Sequence, residues 1–253
     1  DLDSKKDQML LRRLVSTADV LIESFMPGYL EARGVGFKTL KRINPGLVMT
    51  SITTFGQSGP YSHFHGSDLV AQAMGGLMYV QGDDMRAPCA APCELAYQLG
   101  SVHAAYGTLA ALHTRRISGI GQHIDLSLYE VIAHLLFIVA RYAFNGDIMR
   151  RAGRLINNAP PPSSYYQCKD GQLVSISVIF PPDWKALVDW MGNEILADPL
   201  WDDHAFKYAN QDIIVEITQE FIGQFSRSEF VEEAQRRHIS AIPINTLKDV
   251  VES

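Results

Sequence analysis

Apolar residues recur at helical spacing through residues 7–16, with Met9, Leu10 and Leu14 apolar and Arg12 and Arg13 facing out. Ala18-Asp-Val-Leu-Ile-Glu23 then reads as a short apolar strand. Pro27 to Arg33 predicts a brief helix ended by Gly34 and Gly36, and Thr39 to Ile43 a second, closed by Asn44-Pro45. Leu47 to Thr53 is a strand of β-branched character, followed by the loop Phe55-Gly-Gln-Ser-Gly-Pro60. Asp68 to Val80 is an apolar helix rich in Met and Ala, and residues 82–92 an irregular connection. Helix and strand in alternation imply a parallel sheet with crossover helices.

The stretch from Ser101 to Glu130 is the most patterned. Long helices are expected over residues 93–117 and 127–144, with the strand Gln122–Leu126 between them. Small residues (Ala104, Ala105, Gly107, Ala110, Ala111) let the first helix pack closely on a neighbour. Arg115 and Arg116 place positive charge at its C-terminus. Gly119 and Gly121 permit left-handed backbone at the helix stop.

A polar, proline-rich linker, residues 157–163, divides a large α/β portion (1–156) from a small domain (164–253). The small domain opens with a hairpin-like pair, Tyr165–Cys168 and Leu173–Val178, joined by Lys169-Asp-Gly-Gln172. Helices follow at roughly 182–191, 211–224 and 227–237. The chain opens at Asp1 on what reads as a strand end, with a helix cap at Asp3 or Ser4, and closes in the start of another helix. It reads as an internal or processed piece of a longer protein.

Composition narrows the function. Of 253 residues, 47% are hydrophobic and 20% charged, an ordinary globular balance with room for a sizeable core. The net charge of −6 argues against a general nucleic-acid or anionic-membrane surface, while leaving room for a local phosphate site. Cys89, Cys93 and Cys168 show neither metal-ligand spacing nor a disulfide framework, so no metal and a reducing, cytoplasmic location are expected. No apolar run approaches membrane-spanning length.

Five segments in fixed order resemble the family III CoA-transferases, which move coenzyme A between carboxylic acids. They are ADVLIESFMPGYLEARGVGFKTLKRINPGLV, TSITTFGQSGP, GSDLVAQAMGGLM, YYQCKDGQLVSISV and ISAIPINTLKDV. The helix-turn-strand RRISGIGQHID fits the same family's central segment. The resemblance implies a Rossmann-like large domain, a small α+β domain, and two subunits interlocked like chain links. It implies that this piece lacks the family's first βα unit and its returning C-terminal segment. It implies acyl-CoA and carboxylic acid substrates, and either a homodimer or a heterodimer with a homologous catalytic subunit.

The resemblance places CoA at Ser24, Phe25 and Met26, where open α/β sheets bind ligands, with Arg33, His65, Gly66 and Ser67 contributing. Arg33 fits a surface ion pair equally well, and Met26 stands where relatives carry lysine. The family's catalytic aspartate, in Asp-x-x-x-Gly, falls at Tyr97, and its glycine at Ser101. In the family that carboxylate attacks the thioester to give a mixed anhydride. CoA then returns to make an enzyme–CoA thioester. A phenol is protonated at neutral pH and has no carbonyl carbon to carry CoA. Two readings follow. Glu94, three residues earlier and expected on the same helix face, supplies a displaced carboxylate. Alternatively the chain is the non-catalytic partner, as in the two-subunit benzylsuccinate CoA-transferases; this second reading fits the spacing better, because a helical turn of about 5 Å misplaces the nucleophile. The related acyl-CoA racemases use a histidine and an aspartate, which fall at Ser67 and Tyr97, so neither base is present.

Overall fold

The parallel strands expected between residues 18 and 126 assemble into one sheet in the computed structural model, which describes residues 1–83, 85–135, 138–151, 153 and 160–252. Backbone contacts divide the chain into two units, Asp1–Gln81 with Arg86–Arg150, and Gly82–Met85 with Arg151–Ser253.

In the first unit, α1 (Lys5–Val15) leads into β1 (Val20–Glu23). The chain crosses through α2 (Tyr29–Ala32) and α3 (Phe37–Ile43) to β2 (Val48–Thr53). It crosses again through α4 (Asp68–Met74), α5 (Leu77–Val80) and α6 (Leu95–Ser118) to β3 (His123–Ser127). The order is β1-β2-β3, all parallel, with Val20 opposite Val48 and Met49 opposite His123. β2 is central, and Val48, Met49, Thr50 and Ser51 are all buried, as a strand covered on both faces requires. Met49 joins Val15, Leu30, Val35, Leu40 and Leu47 in one apolar cluster. Thr50 instead bonds the Thr108 hydroxyl of α6 at 2.7 Å.

Of the small residues expected to pack closely, Ala104 and Ala111 of α6 are buried, with Thr108 between them, whereas Ala105 and Ala110 are exposed. Arg115 does more than complement the helix end. It donates to the carbonyl of Gly46 at 3.1 Å and pairs with Asp19 at 2.8 Å, tying α6 to the residues just before β1 and β2. Gly119 takes the left-handed conformation (φ 71°). Gly121 does not; a side chain there would lie 1.9 Å from the Leu47 carbonyl oxygen, so its role is close approach rather than a left-handed turn.

Three expectations are corrected. The helix expected over 68–80 is two, broken at Gly75-Gly76, where Gly76 has φ 87°. The helix expected from residue 93 begins at Leu95, because Cys93 and Glu94 are left-handed (φ 63° and 50°). The span 127–144 contains α7 (Leu128–Leu135) and α8 (Ile138–Asn145), with 136–137 outside the described residues.

The second unit contains an antiparallel sheet of β4 (Ser164–Gln167), β5 (Leu173–Ser177) and β6 (Ser240–Pro243), in that order. The helices are α9 (Pro181–Met191), α10 (His204–Ala209), α11 (Gln211–Ile222), α12 (Arg227–Arg236) and α13 (Leu247–Glu252), with a 3-10 turn at Pro199–Asp202. Tyr166, Ile176, Trp184, Leu187, Ile214 and Phe230 lie in its core. Residues 157–159 of the expected linker fall outside the described residues.

Candidate functional site

In the first unit a cavity of about 400 Å³ opens beyond the C-terminal ends of β1 and β2, the place where open parallel sheets receive ligands. The turn after β1 forms one wall, with Ser24, Phe25, Met26 and Pro27. Glu23, the last residue of β1, is mostly buried, and its carboxylate accepts the N–H of Phe25 at 2.8 Å. This holds the turn. The Phe25 ring stacks on Tyr29 at 4.7 Å, and Tyr29 carries the Arg33 guanidinium 3.5 Å from its ring centre.

The loop after β2 forms a second wall. Thr53, Thr54 and Phe55 line the cavity, as do Ser62, Phe64, His65 and Gly66. Phe55 anchors this loop against Tyr61, Phe64 and Tyr129, at ring separations of 6.2, 6.1 and 5.7 Å. Burial, then the neighbouring Glu130, raises the Tyr129 phenol above its ordinary pKa. Both carboxylate oxygens of Asp125 on β3 accept the Gln57 N–H, at 2.9 and 3.0 Å. Gly66 lies so close to Thr54 that a β-carbon there would fall 2.3–2.6 Å from the threonine side chain. Among the described residues, Thr53 Oγ1 and Gln57 Nε2 are buried with no hydrogen-bond partner.

The third wall is the first two turns of α6, where Tyr97 and Ser101 line the cavity. Ser101 Oγ donates to the Tyr97 carbonyl at 2.8 Å. The helix start is capped from a distance: Asp68 Oδ1 accepts the N–H of Ala96 at 2.7 Å and of Tyr97 at 3.3 Å. Its other oxygen accepts from Gln72 Nε2 at 2.6 Å. This carboxylate is wholly engaged in hydrogen bonds.

Of the residues expected to contact CoA, Ser24, Phe25, Met26, His65 and Gly66 meet at this cavity. Ser67 and Arg33 are not among its lining residues. Ser67 caps α4, its oxygen accepting from the Val70 N–H at 3.5 Å. Arg33 is ion-paired with Asp3 and donates to the Tyr29 carbonyl at 3.2 Å. Glu94 and Tyr97 do not share a helix face, since Glu94 precedes α6 in left-handed backbone. Glu94 is exposed and outside the lining. Sequence reasoning missed Thr53, Thr54 and Asp68; the first two were legible only as the end of a strand, and the third only through a contact across 28 residues. Among the described residues the cavity lining contains hydroxyls and aromatic rings but no lysine or arginine. Among the described residues no cluster of three His, Cys, Asp or Glu is placed to hold a metal, and no single helix is long and apolar enough to cross a membrane.

The family model described as CoA-transferase family III matches residues 1–253. A succinyl-CoA–D-citramalate CoA-transferase of Chloroflexus aurantiacus is 35% identical over 83% of this chain and 53% of its own length. Subunit BbsE of the succinyl-CoA:(R)-benzylsuccinate CoA-transferase of Thauera aromatica is 30% identical over 99% of this chain and 63% of its own. The crystal structure of a CAIB/BAIF family protein from Brucella suis superimposes with a TM-score of 0.81 at 30% identity, covering 100% of this chain and 67% of that one. The chain thus spans 53–63% of the length of the two curated relatives.

Proposed function

The chain belongs to CoA-transferase family III, and from that premise we propose that it supplies the CoA-binding large domain of an enzyme moving CoA from an acyl-CoA, such as succinyl-CoA, to a carboxylic acid. The observation that carries this reading is the meeting of Ser24–Met26, His65, Gly66 and Tyr97 at one cavity beyond a parallel sheet. The turn and loop offer backbone N–H groups and hydroxyls to a nucleotide thioester. Arg33 acts at one remove, by holding the Tyr29 ring on which Phe25 stacks. Ser67 acts by capping the helix that follows the loop.

The same reading makes this chain the non-catalytic partner of a heteromer. Tyr97 stands where the family's aspartate falls, and a phenol cannot form the acyl anhydride or the CoA thioester that a carboxylate forms. The carboxylates nearby do not replace it. Asp68 is committed to capping α6, and Glu94 is exposed and off the cavity. The Thauera relative's name describes it as a subunit, which supports a two-subunit arrangement. We place the protein in the cytoplasm, on its three free cysteines, as an interlocked dimer with a homologous subunit that retains Asp-x-x-x-Gly. The test is reconstitution. CoA exchange from succinyl-CoA to a carboxylic acid should be absent for the whole protein alone and present once that homologous subunit is co-expressed. Full exchange by the protein alone refutes the non-catalytic assignment.

A further inference from the structure

We propose that the second unit carries a ligand site of its own, built around Lys207, for a small monocarboxylic acid with an apolar body. A cavity of about 670 Å³ lies in this unit, larger than the one beyond the parallel sheet. Its apolar lining comes from Val178, Trp184, Val188 and Leu196. Lys207, on α10, also lines it and is only 6% exposed. Its ammonium lies 4.0 Å from the centre of the Trp184 ring. Among the described residues it makes no ion pair and no hydrogen bond. The buried Lys207 side chain pays a desolvation cost that the Trp184 ring face and the charge of Asp202 offset in part. Consistently, burial lowers its pKa from the ordinary lysine value, against an opposing effect of Asp202. An anion entering the cavity supplies the missing partner, and the apolar walls receive the rest of the molecule.

The other charged groups at this cavity narrow the ligand. Asp198 accepts the Leu200 N–H at 2.9 Å and is thereby engaged. Asp189 and Asp202 border the cavity as well and disfavour a second negative charge beside Lys207, while Lys185 and His204 in the same lining are exposed and screened by solvent. One carboxylate facing Lys207, with an uncharged body, satisfies both constraints. The site is separate from the CoA reading, because every group invoked belongs to the second unit.

The probe is 4-phenylbutyrate, with 4-phenylbutanamide and 4-phenylbutylamine as its neutral and cationic counterparts. The whole protein is treated briefly with acetic anhydride, and acetylation of each lysine is read by peptide mass spectrometry. Lys207 is expected to react without probe and to be protected at least fivefold by the acid, with Lys248, far along the chain at the C-terminal helix, unchanged. The amide and the amine are expected to give under twofold protection. Tryptophan fluorescence titration of Lys207→Met should show at least tenfold weaker binding of the acid. If that variant does not fold, the protection experiment on the unaltered protein decides alone. Lys207 that fails to react without probe, equal protection by amide or amine, or no protection by the acid overturns the proposal.

Discussion

Asp68 holds the backbone of Tyr97: one carboxylate oxygen accepts the Tyr97 N–H at 3.3 Å and the Ala96 N–H at 2.7 Å. A side chain at the start of α4 thereby caps α6, 28 residues later, at the point where the helix meets the cavity. The first amides of a helix have no partner within it, so a carboxylate there is stabilising. Asp68→Ala is expected to cost about 1 kcal/mol, the usual value of a lost cap. Denaturant unfolding checks the magnitude. Hydrogen exchange should quicken at Ala96 and Tyr97 before it quickens in the middle of α6.

Among the described residues no lysine or arginine lines the cavity, and Met26 is 42% exposed at its edge. Met26→Lys is therefore expected to be neutral for stability, within about 0.5 kcal/mol. It should tighten CoA binding about tenfold through a phosphate contact, a gain that shrinks as salt screens it. Calorimetry at low and high ionic strength measures both effects.

The loop reaches Thr54 because residue 66 has no side chain. Gly66→Ala would force a β-carbon to within 2.3–2.6 Å of Thr54, so the loop must move off the strand end. CoA affinity should fall at least fivefold. Adding Thr54→Ala removes the obstructing atoms and should restore part of the loss. A double-mutant cycle in CoA affinity reads the coupling.

Acid sensitivity should concentrate in the second unit. Hydrogen bonds from the Ser226 hydroxyl and backbone N–H hold the Glu229 carboxyl below its ordinary value of 4.5. Bonds from the Arg227 backbone N–H, chiefly, do the same for Asp170. A carboxyl whose pKa is depressed by folding contributes stability above its unfolded pKa and loses it as pH falls through the folded one. Stability should therefore decline below about pH 4.5, and Glu229→Gln should flatten that decline. Thermal unfolding between pH 3 and 7 tests the sign.

Much of this architecture was legible from the chain because its signals are local. The β-branched run ending at Thr53 reads as a strand covered on both faces, and Ala104 and Ala111 mark the packed side of α6. The family motifs marked Ser24–Met26 and His65-Gly66, which do meet at the cavity. What was not legible depends on contacts distant in sequence. Nothing near Asp68 says that it caps a helix starting at Leu95. The strand Ser240–Pro243 hides behind its proline, which is tolerated because it ends an edge strand beside Leu173–Ser177. Glu94 looked helical because nothing local signals the left-handed pair Cys93-Glu94.

The central claim is that this chain binds CoA without carrying it covalently. The whole protein, alone and co-expressed with its Asp-x-x-x-Gly homologue, is incubated with succinyl-CoA. Thioesters are then reduced with borohydride or cleaved with hydroxylamine, and both chains are mapped by mass spectrometry. The account predicts modification at the aspartate of the homologue and none on this chain. Modification of this chain at Glu94, abolished by Glu94→Gln with the fold intact, would contradict it.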